Sequence, residues 1–210
     1  AMEGTRALSS SSRKAVSTTA TPAPPTPQIK RPPFNPRFNS DARVSQLVDQ
    51  RFAHYLAGDD PAAVAAVMRD LKSGRYRAEF KQLLRADGLA ADNLIDVTAA
   101  HYAALWELVR GRTLASAQVQ SIRNQLGQTM RNEPTLTSID TAARQEIAET
   151  LMLHTAVAVD GYRTLKASGD RRLLAQYRAG VQRNLLPEGP DLLQLDVGAG
   201  GFVPATQPLR

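Results

Sequence analysis

Asp92, Asp96 and His101 are the residues of this chain whose types and spacing could do chemistry. A carboxylate oriented on an imidazole makes a general base, and such a pair beside a bound ester or amide would support hydrolysis. Asp92 and Asp96 are four apart and share a helix face, whereas His101 lies five beyond Asp96 and well round the helix. That spacing does not make a triad. The structural alternative is that Asp92 caps a helix while Asp96 sits favourably near the positive end of its dipole. These three residues are the candidate binding site, and no catalytic residue is assigned.

Other chemistry finds less support. His54, His101 and His154 are the only histidines, and the chain has no cysteine. A metal held by His101 and His154 would need carboxylates that no spacing supplies, so no metal is expected. Gly198-Ala199-Gly200-Gly201 is glycine-rich, but no helix follows to complete a phosphate cradle, and it reads as a flexible tail. Neither a G-x-S-x-G elbow nor an H-E-x-x-H pair occurs, and no cofactor is expected. Glu146 and Glu149, near Arg144, read as a solvated, ion-paired face.

The elements that must position these residues are helical. From Ser40 onward apolar residues recur with a period near 3.6. Ser40 is expected to cap a first helix carrying Val44, Leu47, Val48, Phe52, Tyr55 and Leu56, stopped by Gly58. Asp60 before Pro61 starts a second helix, with Val64, Val67, Met68 and Leu71, that ends at Gly74. Tyr76, Phe80, Leu83 and Leu84 mark a third. Asp92 is expected to cap the fourth, which runs from Asn93 to about Arg110 and is apolar on nearly every side. Such a helix belongs at the centre of a fold. A fifth spans about Leu114 to Arg131. Thr137 or Ser138 should cap a long sixth with the inward stripe Ile147, Leu151, His154, Ala158, Tyr162 and Leu165. Asp170 caps a seventh, closed by Pro187 and Pro190. The tail LLQLDVGAGGFVP alternates weakly and is expected to cross the surface as an extended strap, too short for a sheet of its own.

This pattern is all-α: a single bundle of about six to seven helices over residues 39–190, with an N-terminal arm (1–38) and an extended C-terminal segment (191–210). No internal repeat is evident, and no run is long and apolar enough to span a membrane.

Charge is unevenly shared. The chain carries +6 overall, with a pI near 10.0. Residues 1–40 hold six cations against one anion, whereas the remainder holds 20 against 19. The basic character therefore belongs to a Ser/Thr/Pro-rich arm that reads as disordered, although Phe34 and Phe38 should lie against the domain. The domain offers no basic helix, because Arg69, Lys72, Arg75, Arg77, Lys81 and Arg85 are diluted by Asp70, Glu79 and Asp87. Nucleic acid is a poor match, since the few aromatics fall at core positions. Another protein is the expected partner, and the arm could touch an anionic envelope surface.

The stretch from Leu83 to Asp96 resembles a group of uncharacterised bacterial proteins classed as a domain of unknown function. The likeness rests on Leu89-Ala90-Ala91-Asp92-Asn93 leading into an apolar helix with Leu105-Trp106, on Ala143-Arg144-Gln145-Glu146, and on Gly201-Phe202-Val203-Pro204. It covers roughly residues 38–204. The resemblance implies an exported helical protein, periplasmic or secreted, whose leader does not occur in these residues. The absence of cysteine suits export and a reducing cytoplasm equally. No activity transfers with it. The expected function is therefore non-enzymatic, through protein–protein contact. The alternatives are a secreted hydrolase or effector acting around Asp92, Asp96 and His101, and an arm-driven binder of nucleic acid or an anionic surface.

Overall fold

A computed structural model describes residues 34–187 and 189–206. The arm expected over residues 1–38 lies outside the described residues as far as residue 33. Within the described part the chain is all-α, with eight helices and one small hairpin. They are α1 (Ala42–Ala57), α2 (Pro61–Lys72), α3 (Arg75–Ala86), α4 (Leu94–Arg110), α5 (Ser116–Asn132), α6 (Pro134–Thr137), α7 (Thr141–Ser168) and α8 (Arg171–Leu185). Seven are long, and α6 is a single turn that Pro134 initiates. No helix among the described residues is long and apolar enough to cross a membrane.

Local chemistry explains most boundaries. The Asp60 carboxylate accepts from the N–H groups of Ala62 and Ala63, with Pro61 at the first helical position, where its missing N–H costs nothing. Asp170 accepts from Leu173 N–H. Gly111 and Gly169 close α4 and α7 in the left-handed conformation that only glycine adopts freely. Three expected caps shift. Asp41 rather than Ser40 caps α1, Asn93 rather than Asp92 caps α4, and Asp140 rather than Thr137 or Ser138 caps α7. At α4 the reason is tertiary. Phe38 N–H donates to Asp92 O at 3.0 Å and Leu94 N–H to Pro36 O at 2.9 Å. This short pairing with the Phe34–Phe38 segment holds Asn93 extended, so its side chain reaches Ile95 and Asp96 N–H. Phe34 and Phe38 are buried in the main core, as their apolar bulk requires.

α4 lies at the centre and packs against α3, α5, α7, α8 and the 3-10 turn Leu192–Gln194. Trp106, Leu94, Ile95, Val97, Leu105 and Leu108 form the main core with residues from α3, α5 and α7. A second cluster of Val48, Phe52, Ala53, Leu71 and Leu153 seals α1 and α2 onto α7. The inward face of α7 departs from the expected stripe. Ala148, Met152, Leu153, Thr155 and Ala156 are buried together with Gln145 and Glu149, whereas Ile147 is 38% exposed.

The C-terminal strap folds on itself. β1 (Leu195–Gly198) and β2 (Gly201–Pro204) pair antiparallel across the two-residue turn Ala199-Gly200. The stretch expected to be a flexible tail is thus a hairpin loop, and four residues per strand suffice because α5 completes the pairing. The Gln125 amide accepts from Phe202 N–H at 2.8 Å and donates to Phe202 O at 2.9 Å, standing in for a third strand. Gly201 adopts φ +106°, and an added Cβ would meet Gln125 Oε1 at 2.5 Å. Trp106 Nε1–H donates to Leu195 O at 3.0 Å, tying the strap to the central helix.

Candidate functional site

The structure does not bring Asp92, Asp96 and His101 together. Asp92 is exposed and pairs with Arg37 at 2.9 Å. Asp96 is buried, accepting from Ala90 N–H at 3.0 Å and from Arg123 Nε at 2.9 Å, so it braces the loop before α4 against α5. His101 faces α7, where its Nδ1 lies 2.7 Å from Thr155 Oγ1. The Thr155 hydroxyl donates its single proton to Leu151 O at 2.6 Å, so it must accept from His101. The imidazole is therefore the Nδ1–H tautomer. Burial, reinforced by the neighbouring His154, lowers the His101 pKa to about 4, and the ring is neutral at pH 7.

The strongest electrostatic feature is a buried network at the N-terminal end of α7, and the reading of Glu149 as part of a solvated face does not hold. Arg77 on α3 places Nη2 2.6 Å from Glu149 Oε2 and Nη1 2.8 Å from Asp49 Oδ1. Glu149 Oε1 accepts from Ser45 Oγ at 2.7 Å and Gln145 Nε2 at 2.8 Å. Gln145 also brackets the Asp41 backbone, accepting from its N–H at 2.8 Å and donating to its carbonyl at 2.9 Å. Burial opposes the charge on Arg77, yet Glu149 and Asp49 outweigh it and hold its pKa above the ordinary value. A surface pair of Arg51 and Glu146 lies nearby. Arg77 was legible as inward, because it shares a face with Phe80 and Leu84, three and seven residues on.

Two of the concavities that flank α7 lie near its middle. The first, about 390 Å³, opens between α3, the Leu89–Asp92 loop and Ser40, with Lys81 and Arg85 at its rim. The second, about 260 Å³, is a groove between α1, α7 and α8, lined by Phe52, Tyr55, Leu56, His154, Val157 and Tyr177. The His154 ring meets the Phe52 and Tyr55 rings edge-on, each at 4.9 Å, and burial lowers its pKa. Among the described residues no group of three or more His, Cys, Asp or Glu side chains is arranged to hold a metal ion.

A family of unknown function, DUF6683, matches residues 5–203. The chain belongs to DUF6683. The match begins well before residue 38, where the likeness in the sequence starts, so the DUF6683 pattern takes in much of the arm. No curated protein and no solved structure matches the chain.

One element of this DUF6683 chain corrects the charge reading. α8 carries Arg171, Arg172, Arg178 and Arg183 and no acid, so the domain does contain a basic helix. Arg178 is spent internally, its Nε donating to Val109 O at 3.0 Å at the end of α4. The other three are exposed.

Proposed function

We propose that this chain is a non-enzymatic, exported bacterial protein that acts by protein–protein contact, holding an acidic amphipathic helix of its partner in the groove between α1, α7 and α8. The observation that carries the reading is the apolar exposure along that groove. Tyr55 is 63% exposed and Leu56 44%, both lining it. Leu173, 41% exposed, precedes Tyr177 by four residues and continues the same face of α8. A contiguous apolar surface rimmed by polar groups marks an interaction site, and an aromatic-lined channel between helices suits a helix laid into it. The partner's charge follows from α8. At 100° per residue, Arg172 and Arg183 fall on the solvent side of the wall made by Leu173, Tyr177 and Gly180, and no acid on that helix offsets them. The family resemblance supports export.

Photocrosslinking tests this. Benzoylphenylalanine at position 55, expressed in the native host, should give one dominant adduct whose crosslinked peptide is acidic and amphipathic. Leu173→Glu should abolish it by placing a charge on the apolar face of α8 that continues the groove. An adduct that persists in Leu173→Glu, or crosslinked peptides of no common character, would overturn the proposal.

A further inference from the structure

We infer that the cleft between α3 and the Leu89–Asp92 loop is a second, independent binding site, for a small organic anion with an apolar body. Arg77, Lys81 and Arg85 follow one another at intervals of four along α3 and all line this cleft. Their situations differ. Arg77 is consumed by Asp49 and Glu149. Lys81 and Arg85 are exposed, and among the described residues no acid lies within ion-pair distance of either. Like charges four apart on a helix repel, so the folded chain carries this pair at a cost that an anion in the cleft would remove.

The remaining lining defines the rest of the ligand. Of the two acids at the cleft, Asp92 is paired with Arg37, while Glu149 shares Arg77 with Asp49. With Asp49 included, the four cations Arg37, Arg77, Lys81 and Arg85 face three acids, so Lys81 and Arg85 leave the balance positive. Beneath them Phe38, Leu84, Leu89 and Met152, all buried in the core, present their remaining surface as an apolar floor. A volume of about 390 Å³ falls in the range of small-molecule sites rather than of peptide grooves. Cations at the rim over an apolar floor select an anionic head on a short aliphatic or aromatic tail. A carboxylate and a phosphate monoester share that chemistry, and the Arg85 guanidinium can grip either one through two N–H groups.

Calorimetry on the full chain tests the inference with octanoate and octyl phosphate as probes. Either or both should bind saturably, and the tighter one identifies the head group. 1-Octanol, which lacks the charge, should bind at least about tenfold more weakly, since one charge-assisted contact is worth that much, and acetate, which lacks the tail, should bind at least as weakly because it buries little apolar surface. Lys81→Gln/Arg85→Gln should weaken the probes by about tenfold or more and flatten their dependence on salt, while the melting temperature does not fall, because both side chains are exposed and their mutual repulsion is relieved. Tyr55→Ala, which alters the other groove, should leave the affinity unchanged. Octanol binding as tightly as octanoate, unaltered affinity in the double variant, or saturable binding by neither probe would each overturn the site. Loss of binding in Tyr55→Ala would do so as well, by moving it to the α1–α8 groove.

Discussion

Replacing Arg77 with methionine should be among the most damaging single changes in the molecule. Methionine keeps much of the aliphatic volume but strands two carboxylates that lie almost out of solvent. They are stranded unequally. Glu149 keeps the Ser45 hydroxyl and the Gln145 amide on Oε1. Asp49 Oδ1 lies 2.8 Å from Arg77 Nη1 without a well-aimed hydrogen bond to anything, so its charge is left with no partner. Removing one member of a buried ion pair costs about 3–5 kcal/mol, which for a chain of this size lowers Tm by roughly 10 °C. Urea denaturation at pH 8 should show the loss, and adding Asp49→Asn to Arg77→Met should recover a large share of it. A deficit below about 1 kcal/mol, or none of it recovered by Asp49→Asn, would refute the account, since it would mean that the pair contributes like an exposed one.

His101, whose folded-state pKa is depressed from 6.5 to about 4, gives stability that is whole above pH 6.5 and lost as pH falls towards 4, by roughly 3 kcal/mol at most. Guanidinium titrations across that window should show the slope in wild type and a shallower one in His101→Asn, whose amide can still donate to Thr155. Gly161→Ala places a Cβ 2.5 Å from the Tyr177 hydroxyl, which donates to Ala158 O at 2.9 Å; displacing the ring should cost about 1–3 kcal/mol, read as a lower urea midpoint. Gly201→Ala adds backbone strain at φ +106° to a clash with Gln125, and hydrogen exchange at Phe202 N–H should accelerate while α4 amides stay protected.

Glycine and proline punctuation made the helix ends readable. Gly58 stops α1 where expected, Gly111 and Gly169 close α4 and α7, and Asp60-Pro61 and Asp170 start helices as expected. Two of the three caps that slipped have two competent residues side by side, Ser40 with Asp41 and Asp92 with Asn93. There the tertiary partner decides, as Phe38 does by bonding Asp92 O. The inward face of α7 was obscured because half of it is polar. A stripe search rejects Gln145 and Glu149, which are buried because the Asp41 backbone meets the first and Arg77 on another helix meets the second. The hairpin escaped for a similar reason, since its third strand is a glutamine side chain on α5. The candidate site was least legible. The grouping of Asp92, Asp96 and His101 by one-dimensional spacing dissolves once Arg37, Arg123 and Thr155 claim one each.

The polar face of α7 also bears on how the two concavities act. Apolar stripes tell a helix which side to bury but not how far to slide, because hydrophobic contact is non-directional. Gln145 clamping the Asp41 backbone, and Arg77 bridging Asp49 to Glu149, fix the register of α1 and α3 against α7 in a way that the alanines at 148 and 156 alone would not. The cleft uses Glu149 and Met152 of α7, whereas the groove uses His154, Val157 and Ala158. At 100° per residue these sets fall on nearly opposite sides of the helix. One rigid element thus forms a wall of both sites without sharing a lining residue between them. A ligand in the cleft should leave the groove's affinity for its partner unchanged, because coupling needs an element with two arrangements and the clamped end of α7 has one. Measured linkage between the two would show that the network yields, and Arg77→Met would then be the variant in which that linkage changes most.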